Sequence, residues 1–321
     1  MSTANKYSDH DLYGIKSDAV RYTWAGYFLF VVLSSLIGDT TILVASIKYK
    51  VFKLHKAIIV LIQYIAVCDL MVTATLVIPR TISLFANGWI LGDTLCYINP
   101  YVAYYLSAVG VYLVCVMTFF KLFTLQCPFR TRQLSVKKAH LTAAAAWLFS
   151  SLIALVFFIV DKDDVSFDFR SYICDYHMSS KVWNWLTPII TTIFCAIPTC
   201  LVLTASIQLL VIAKRVARRG GECLKWQGIM TIGLTAAVYC ISIIPYAVYR
   251  IAEQHVTTSD DPLGFFQRHY FKIAQSFVPL NTISNFYIYC LTLTSFREFL
   301  WSRIKLLRRT PCSLGRAFKF K

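Results

Sequence analysis

The chain has 321 residues, of which 57% are hydrophobic and 15% are charged, and its formal net charge is +16. A soluble domain carries about 25% charged residues, so this composition excludes an ordinary soluble globular protein. The mean hydropathy of +0.59 indicates a chain solvated by lipid. Its basic residues stand in short clusters between apolar segments, which is typical of membrane proteins and not of a nucleic-acid-binding face. We therefore expect no nucleic acid among its partners.

Seven segments are apolar and long enough to cross ~30 Å of hydrocarbon, which takes a helix of about 20 residues. In chain order they are 22–47, 57–79, 94–120, 139–160, 182–213, 226–249 and 273–293. Asp39 and Asp69 lie in the first two, and the other five contain no Asp, Glu, Lys or Arg. The predicted fold class is an all-α membrane protein, a seven-transmembrane helix bundle over 22–293. Buried helices of a large soluble protein would need polar faces that these segments lack.

The linkers predict the orientation of the bundle. Without Lys121, the linkers after the first, third and fifth apolar segments and the tail 294–321 together carry 21 of the 32 lysines and arginines. Because short basic segments stay on the cytoplasmic side, we expect a cytoplasmic C-terminus, an extracellular N-terminus over 1–21, and residence in the plasma membrane.

Cysteine placement agrees with this orientation. Of the eleven cysteines, Cys96 and Cys174 alone fall on the predicted outer side. In an oxidising compartment they have one way to pair, and the alternative is two free thiols. Cys312, in the basic tail, is a candidate for S-palmitoylation or remains a free thiol. The six histidines are unclustered and no phosphate-binding loop is present, so we expect no enzyme and no metal site built from His or Cys.

Short motifs follow one another in the order of the predicted helices. The residues that carry them are Ala66 and Asp69, Trp89, Gly92 and Cys96, Trp147, Pro198, Pro245, Asn285 and Tyr289, and then Phe296 and Arg297. Together they resemble the rhodopsin-like (class A) G-protein-coupled receptors from about residue 22 to 309. Phe296 opens a basic stretch similar to the short amphipathic eighth helix of that family.

The chain departs from the family pattern at several motifs. The family's Asp-Arg-Tyr is replaced by Phe120, Lys121 and Leu122, and its Gly-Asn by Gly38 and Asp39. The helix-six motif has no tryptophan before Pro245. Lys121 keeps a positive charge but loses the planar fork of arginine. With Phe120 beside it instead of an acid, we expect Lys121 to reach lipid phosphates or water.

The resemblance implies a ligand site among inward-facing residues of the outer half. These residues are Arg80, Ala103, Tyr104, Ser107, Tyr246, Arg250, Phe271 and Gln275. Ala103 stands where amine receptors carry aspartate, and Pro279 where opsins carry the retinal lysine. Arg80 and Arg250 either pair with a ligand carboxylate or sulfate or extend to the headgroups.

The resemblance also implies a polar cluster at mid-membrane and a signalling end. Asp39, Asp69, Asn281 and Asn285 are expected to come together, around a sodium ion or a shared proton near Asp69, or as an uncharged hydrogen-bonded network. Gly110 lacks the hydroxyl that the family usually offers there. The expected G-protein side comprises Phe120, Lys121, Leu122, Arg130, Pro245 and Tyr289.

These features predict a cell-surface receptor that passes the binding of an extracellular ligand, peptide-like in preference to monoamine, to heterotrimeric G proteins. A second hypothesis is a seven-helix protein that does not switch G proteins and acts as a scavenger, a constitutive signaller or a dimer partner. A third is a transporter or channel, which would need a polar path through the bundle.

Overall fold

The computed structural model describes residues 15, 17–52, 54–126, 134–161, 164–169, 171–176, 182–218, 223–256 and 263–309. Eight helices and one β-hairpin make up this described chain. The helices are α1 (Asp18–Ile47), α2 (Lys56–Ala86), α3 (Asp93–Gln126), α4 (Val136–Asp161), α5 (183–218), α6 (Cys223–Val256), α7 (Leu263–Thr292) and α8 (Thr294–Arg309). Strands β1 (Val165–Asp168) and β2 (Ile173–Tyr176) form the hairpin between α4 and α5.

The helices of the bundle coincide with the seven predicted apolar segments, and most extend beyond them. The largest difference is at α7, which begins at Leu263, whereas the sequence predicted a start at 273. Polar and aromatic turns continue a helix past the hydrocarbon, and hydropathy does not register them. Among the described residues, five helices are long and apolar enough to cross a membrane, and α6 contributes the shorter apolar helix Gly233–Val248.

Two helices contain a π-helical turn just before a proline. In α2 the turn covers Thr73–Val77 and precedes Pro79, and in α5 it covers Thr192–Ala196 and precedes Pro198. Proline has no N–H to give and its ring crowds the carbonyl four residues earlier. A widened turn accommodates both effects without ending the helix.

Apolar side chains fill the interior of the bundle and also cover its outer surface. Leu61, Leu113 and Met117 form part of the main core with no more than 1% of their surface exposed. Leu141 and Leu148 on α4, by contrast, are about 70% exposed. A soluble protein seldom leaves so many large apolar side chains uncovered, so the outer surface is suited to lipid.

The two ends of the bundle differ: the hairpin end carries β1 and β2, and the α8 end carries α8. At the hairpin end, β1 pairs antiparallel with β2, placing Phe167 opposite Cys174. Burial raises the pKa of Tyr172 in this hairpin, so its hydroxyl stays protonated and donates to Asn87 Oδ1 over 3.3 Å. At the α8 end, the Arg297 guanidinium donates to the backbone oxygens of Cys290 and Leu291, which caps α7.

Candidate functional site

A disulfide bond closes the hairpin end. Cys96, near the start of α3, is joined to Cys174 of β2, with their Cα atoms 5.2 Å apart. The turn before α3 depends on Gly92, whose φ of +87° favours glycine, and its carbonyl oxygen accepts from Trp89 Nε1 over 2.9 Å. The predicted Cys96–Cys174 bond is therefore confirmed, and it holds β2 across the mouth of the bundle.

Beneath the hairpin lies a cavity of about 170 Å³. Six of the eight residues predicted to form the ligand site line it, namely Arg80, Ala103, Tyr104, Ser107, Tyr246 and Gln275. The side chains of the other two, Arg250 and Phe271, lie outside the described part of the chain. The alignment to the family motifs thus predicted six residues that lie around one cavity.

Aromatic rings and one carboxylate complete the wall below the hairpin. The Tyr104 ring stacks on Phe157 of α4 with 4.2 Å between centroids, and the Tyr176 ring lies 6.0 Å from Tyr104. Asp175 lines the same cavity and accepts from the Tyr104 hydroxyl over 3.3 Å. The sequence reasoning missed Asp175, although its place beside Cys174 was a usable signal, since the disulfide holds it over α3.

Arg80 is the buried cation of this wall. Its Nη2 donates to Gln275 Oε1 on α7, and its Cζ lies 5.1 Å from the centroid of the Phe28 ring. With 9% of its surface exposed it does not extend to the headgroups, so that alternative is wrong. The π turn in α2 ends three residues before Arg80.

A chain of polar groups crosses the middle of the bundle. Ser35 Oγ donates to Asp39 Oδ2 over 2.7 Å and lies 2.7 Å from Thr73 Oγ1, which is 2.9 Å from the Asp69 carbonyl oxygen. Asn285 Nδ2 donates to Asp69 Oδ2 over 3.1 Å. The sequence reasoning missed Ser35 and Thr73, although each stands one helical turn from one of the two aspartates.

The oxygen atoms of this polar chain fit a hard cation. Carboxylate and hydroxyl oxygens are the usual ligands of such ions, and Asp39 Oδ1 is buried without a hydrogen-bond partner in the described chain. The side chain of Asn281 makes no hydrogen bond to the cluster among the described residues, contrary to expectation, and only its backbone carbonyl accepts, from Ser284 over 2.9 Å. Asp39, Asp69 and Asn285 are thus the predicted members that meet.

Gly38, beside Asp39, lets α1 approach α7 closely. A Cβ atom at this position would lie 2.8 Å from Cβ of Phe286, closer than two such carbons pack. Phe286 follows Asn285 on α7. A bulky ring in α7 is thus matched by the absence of a side chain in α1.

At the α8 end, Tyr289 packs against Phe52 and Phe296 with centroid distances of 5.6 and 6.3 Å. Lys121 is 6% exposed, and its Nζ is buried with no hydrogen-bond partner in the described chain. The prediction that Lys121 reaches lipid phosphates or water is therefore wrong, because it lies on the face of α3 that turns into the bundle. Phe120 and Leu122 are also buried. Arg130 and Cys312 lie outside the described residues.

Comparison with known families agrees with this geometry. Residues 38–289 match the family described as 7 transmembrane receptor (rhodopsin family). The chain belongs to this family. The match covers well over half of the 321 residues and spans α1 to α7 up to Tyr289.

Membership confirms several predictions for the receptor. It is a multi-pass membrane protein with a seven-helix bundle, and its family consists of non-enzymatic signalling receptors. The family implies an extracellular ligand and G-protein partners.

Proposed function

We propose that the receptor binds an extracellular ligand in the cavity at the hairpin end and transmits the event to a heterotrimeric G protein at the α8 end. The cavity beneath the disulfide-held hairpin supports this proposal best, because α2, α3, α5, α6 and α7 all contribute to its wall. A ligand that fits one arrangement of these helices better than another shifts their populations. The π turn before Pro198 and the interruption at Pro245 are places where α5 and α6 can bend.

The orientation is part of the proposal. Both cysteines of the disulfide lie at the hairpin end, which suits an oxidising compartment, and the described basic residues that follow α1, Lys48 and Lys50, lie toward the opposite end. Epitope tags at both termini, stained before and after permeabilisation, test it. We expect the N-terminal tag to stain on intact cells, whereas a C-terminal tag stained on intact cells would contradict the proposed orientation.

The wall of the cavity favours a peptide-like ligand over a monoamine. Amine ligands need a carboxylate, and α3 offers Ala103 where amine receptors carry one. The carboxylate that lines the cavity, Asp175, belongs to the hairpin and is already a hydrogen-bond acceptor. A cavity of about 170 Å³ admits one side chain or the end of a peptide, with the remainder above the hairpin.

A ligand screen that reads G-protein dissociation for each G-protein subtype tests the function. Ala103→Trp fills the cavity and is expected to abolish the response to any ligand found. Leu148→Trp, on the exposed face of α4, is the matched control and should respond like the parent. A response that survives Ala103→Trp would place the ligand elsewhere.

A second candidate function is a seven-helix protein that does not switch G proteins. The buried ammonium of Lys121, which has no hydrogen-bond partner among the described residues, favours it, because the position that usually carries the signalling arginine is closed into the bundle. Silence of the receptor with every G-protein subtype, at full surface expression, is the result expected for this alternative.

We also propose that a sodium ion, or a proton shared by Asp39 and Asp69, balances charge in the middle of the bundle. The orphaned Asp39 Oδ1 supports it. With sodium bound, the purified receptor should unfold at a higher temperature in sodium chloride than in choline chloride, and Asp39→Asn should reduce that difference. Equal temperatures in the two salts would favour the proton.

A further inference from the structure

Arg80 separates two cavities at the hairpin end. The larger, of about 170 Å³, is the proposed ligand cavity, and a smaller one of about 30 Å³ lies between Arg80, Tyr172 and α1. A guanidinium in this position has left bulk water, which is unfavourable unless other groups replace the hydration.

The receptor replaces that hydration only in part. Gln275 Oε1 accepts from Nη2, and the Phe28 ring lies against the guanidinium, but neither group carries a formal negative charge. Nε has no hydrogen-bond partner, and no carboxylate forms an ion pair with Arg80 in the described chain. Arg80 therefore retains donors and a charge that an anion could satisfy.

The remainder of the larger cavity is mostly apolar. Residues of this kind in its wall include Val72, Leu76, Phe157, Phe194, Ile243 and Val278. Among the described residues of the wall, Arg80 is the one cation that an entering charged group meets, and the body attached to that group meets aliphatic and aromatic side chains. An arginine fork can bind a carboxylate through two parallel hydrogen bonds.

We propose that the ligand is an organic acid whose carboxylate binds Arg80 and whose aromatic or aliphatic body fills the cavity. This inference rests on the proposed function, which places the ligand in this cavity. An apolar cavity of ~150 Å³ accepts benzene, so the enclosed body has about the size of one aromatic ring or a short aliphatic chain. The carboxylate belongs either to the C-terminal residue of a peptide or to a free acid.

Asp175 limits the ligand to a single negative charge. Its carboxylate faces the same cavity and attracts the guanidinium through space without contact. It also accepts from the Tyr104 hydroxyl and from the backbone N–H of Tyr176. A second acidic group on the ligand would approach this carboxylate and be repelled.

Two matched pairs of probes test the inference on the full-length receptor in lipid nanodiscs. N-acetyl-L-phenylalanine and its C-terminal amide represent the end of a peptide, and hexanoate and hexanol represent a free acid. The concentration dependence of the thermal shift gives an affinity for each probe. We expect at least one acid to bind about tenfold or more tightly than its neutral partner, and the pair that shows this preference identifies the source.

Variants assign the preference to Arg80. Arg80→Gln should remove it, and so should Gln275→Glu, in which the receptor supplies its own carboxylate to the guanidinium. Asp175→Asn should increase the affinity for the acid, because it keeps the hydrogen bonds and removes the repulsion. The control is Arg21→Gln, since Arg21 is also buried at the hairpin end but donates to the Leu84 and Phe85 backbone oxygens and to Asp18. It should keep the preference.

Equal affinities of each acid and its neutral partner overturn the inference, and so does a preference that survives both Arg80→Gln and Gln275→Glu. Failure of every acid to bind at millimolar concentration overturns it as well. If Arg80→Gln does not fold, the Gln275→Glu variant tests the inference by itself. The proposed function fails separately, when no ligand of any charge releases a G protein.

Discussion

Among the described residues, each end of the bundle buries one cation that forms no ion pair, and the surroundings of these two cations differ. Arg80, at the hairpin end, has an amide acceptor on α7, an aromatic ring beside it and a cavity in front of it. Lys121, at the α8 end, has no hydrogen-bond partner for its Nζ in the described chain. Arg80 is therefore stabilised in its position by its neighbours. Lys121, by contrast, raises the free energy of the helix arrangement that buries it.

This difference bears on which arrangement of the helices prevails. An unpartnered ammonium in a low-dielectric interior is strongly disfavoured, and movement of helices at the α8 end would return Lys121 to water. Arg80 has no such reason to leave its site. We therefore expect the α8 end to open more readily than the hairpin end.

The largest expected effect comes from the hairpin end. Removing the disulfide with Cys96→Ala, Cys174→Ala or both should lower the free energy of unfolding by about 2–5 kcal/mol. The three variants should resemble one another, because each breaks the same bond. Surface expression and thermal unfolding measure this, and parent-like behaviour of all three would show that the hairpin is held in place without the bond.

Neutralising the two cations should shift stability in opposite directions. Lys121→Met removes a buried charge that has no partner and should raise the free energy of unfolding by about 1–3 kcal/mol. Arg80→Met leaves Gln275 unpaired beside the cavity and should lower it by about 1–3 kcal/mol. Thermal unfolding of both variants in the same detergent measures the two shifts. A change of the same sign in both would end the distinction between the two ends.

Basal signalling gives a second measure of Lys121. If its burial disfavours the closed α8 end, the parent should show ligand-independent G-protein activation, and Lys121→Met should show less. Leu148→Trp, remote from both cations, serves as the control for expression. Equal basal activity in the parent and in Lys121→Met would show that the buried charge does not affect the switching of the receptor.

The smallest expected effect comes from restoring an ion pair at the end of α3. Phe120→Asp combined with Lys121→Arg places an acid beside a planar cation, as in the family pattern. At a protein surface such a pair is worth ~1 kcal/mol. At this buried position the two charges also lose hydration, so we expect no more than about a fivefold change in the population of the active arrangement. Stimulated and basal activation at matched surface expression should therefore differ more in the double variant than in the parent. An unchanged ratio would mean that the pair does not form.

The wall of the cavity beneath the hairpin was largely predictable, because the family motifs fix the register of its helices and the spacing of residues along each helix then gives the inward face. Tyr104 and Ser107 stand three residues apart on one face of α3, and the anchors at Asp69 and Pro245 set the register of α2 and α6. Neighbours one turn apart on a helix share a face whatever surrounds it. Ser35 and Thr73 obey the same rule, so their spacing from Asp39 and Asp69 also predicts that their hydroxyls belong to the polar chain.

Three features could not be read in this way. The β-hairpin Val165–Asp168 and Ile173–Tyr176 follows an acidic linker, and its pairing depends on the disulfide and on packing over α3. The ends of α7 depend on polar turns that hydropathy does not register. The burial of Lys121 depends on where a long flexible stem points, and two positions for its ammonium were compatible with the same sequence.

The π turn Thr73–Val77 determines which face of α2 the residues after it occupy. An α-helix advances about 100° per residue, and a π turn accommodates one residue more than an α-helical turn would. Deleting Ala74, which lies in this turn but not in the cavity wall, would therefore rotate the rest of α2 by about 100° and carry Arg80 from the cavity toward lipid, while every side chain of the wall stayed in the sequence. The Arg80 guanidinium thus points into the bundle only while this turn of α2 keeps its additional residue.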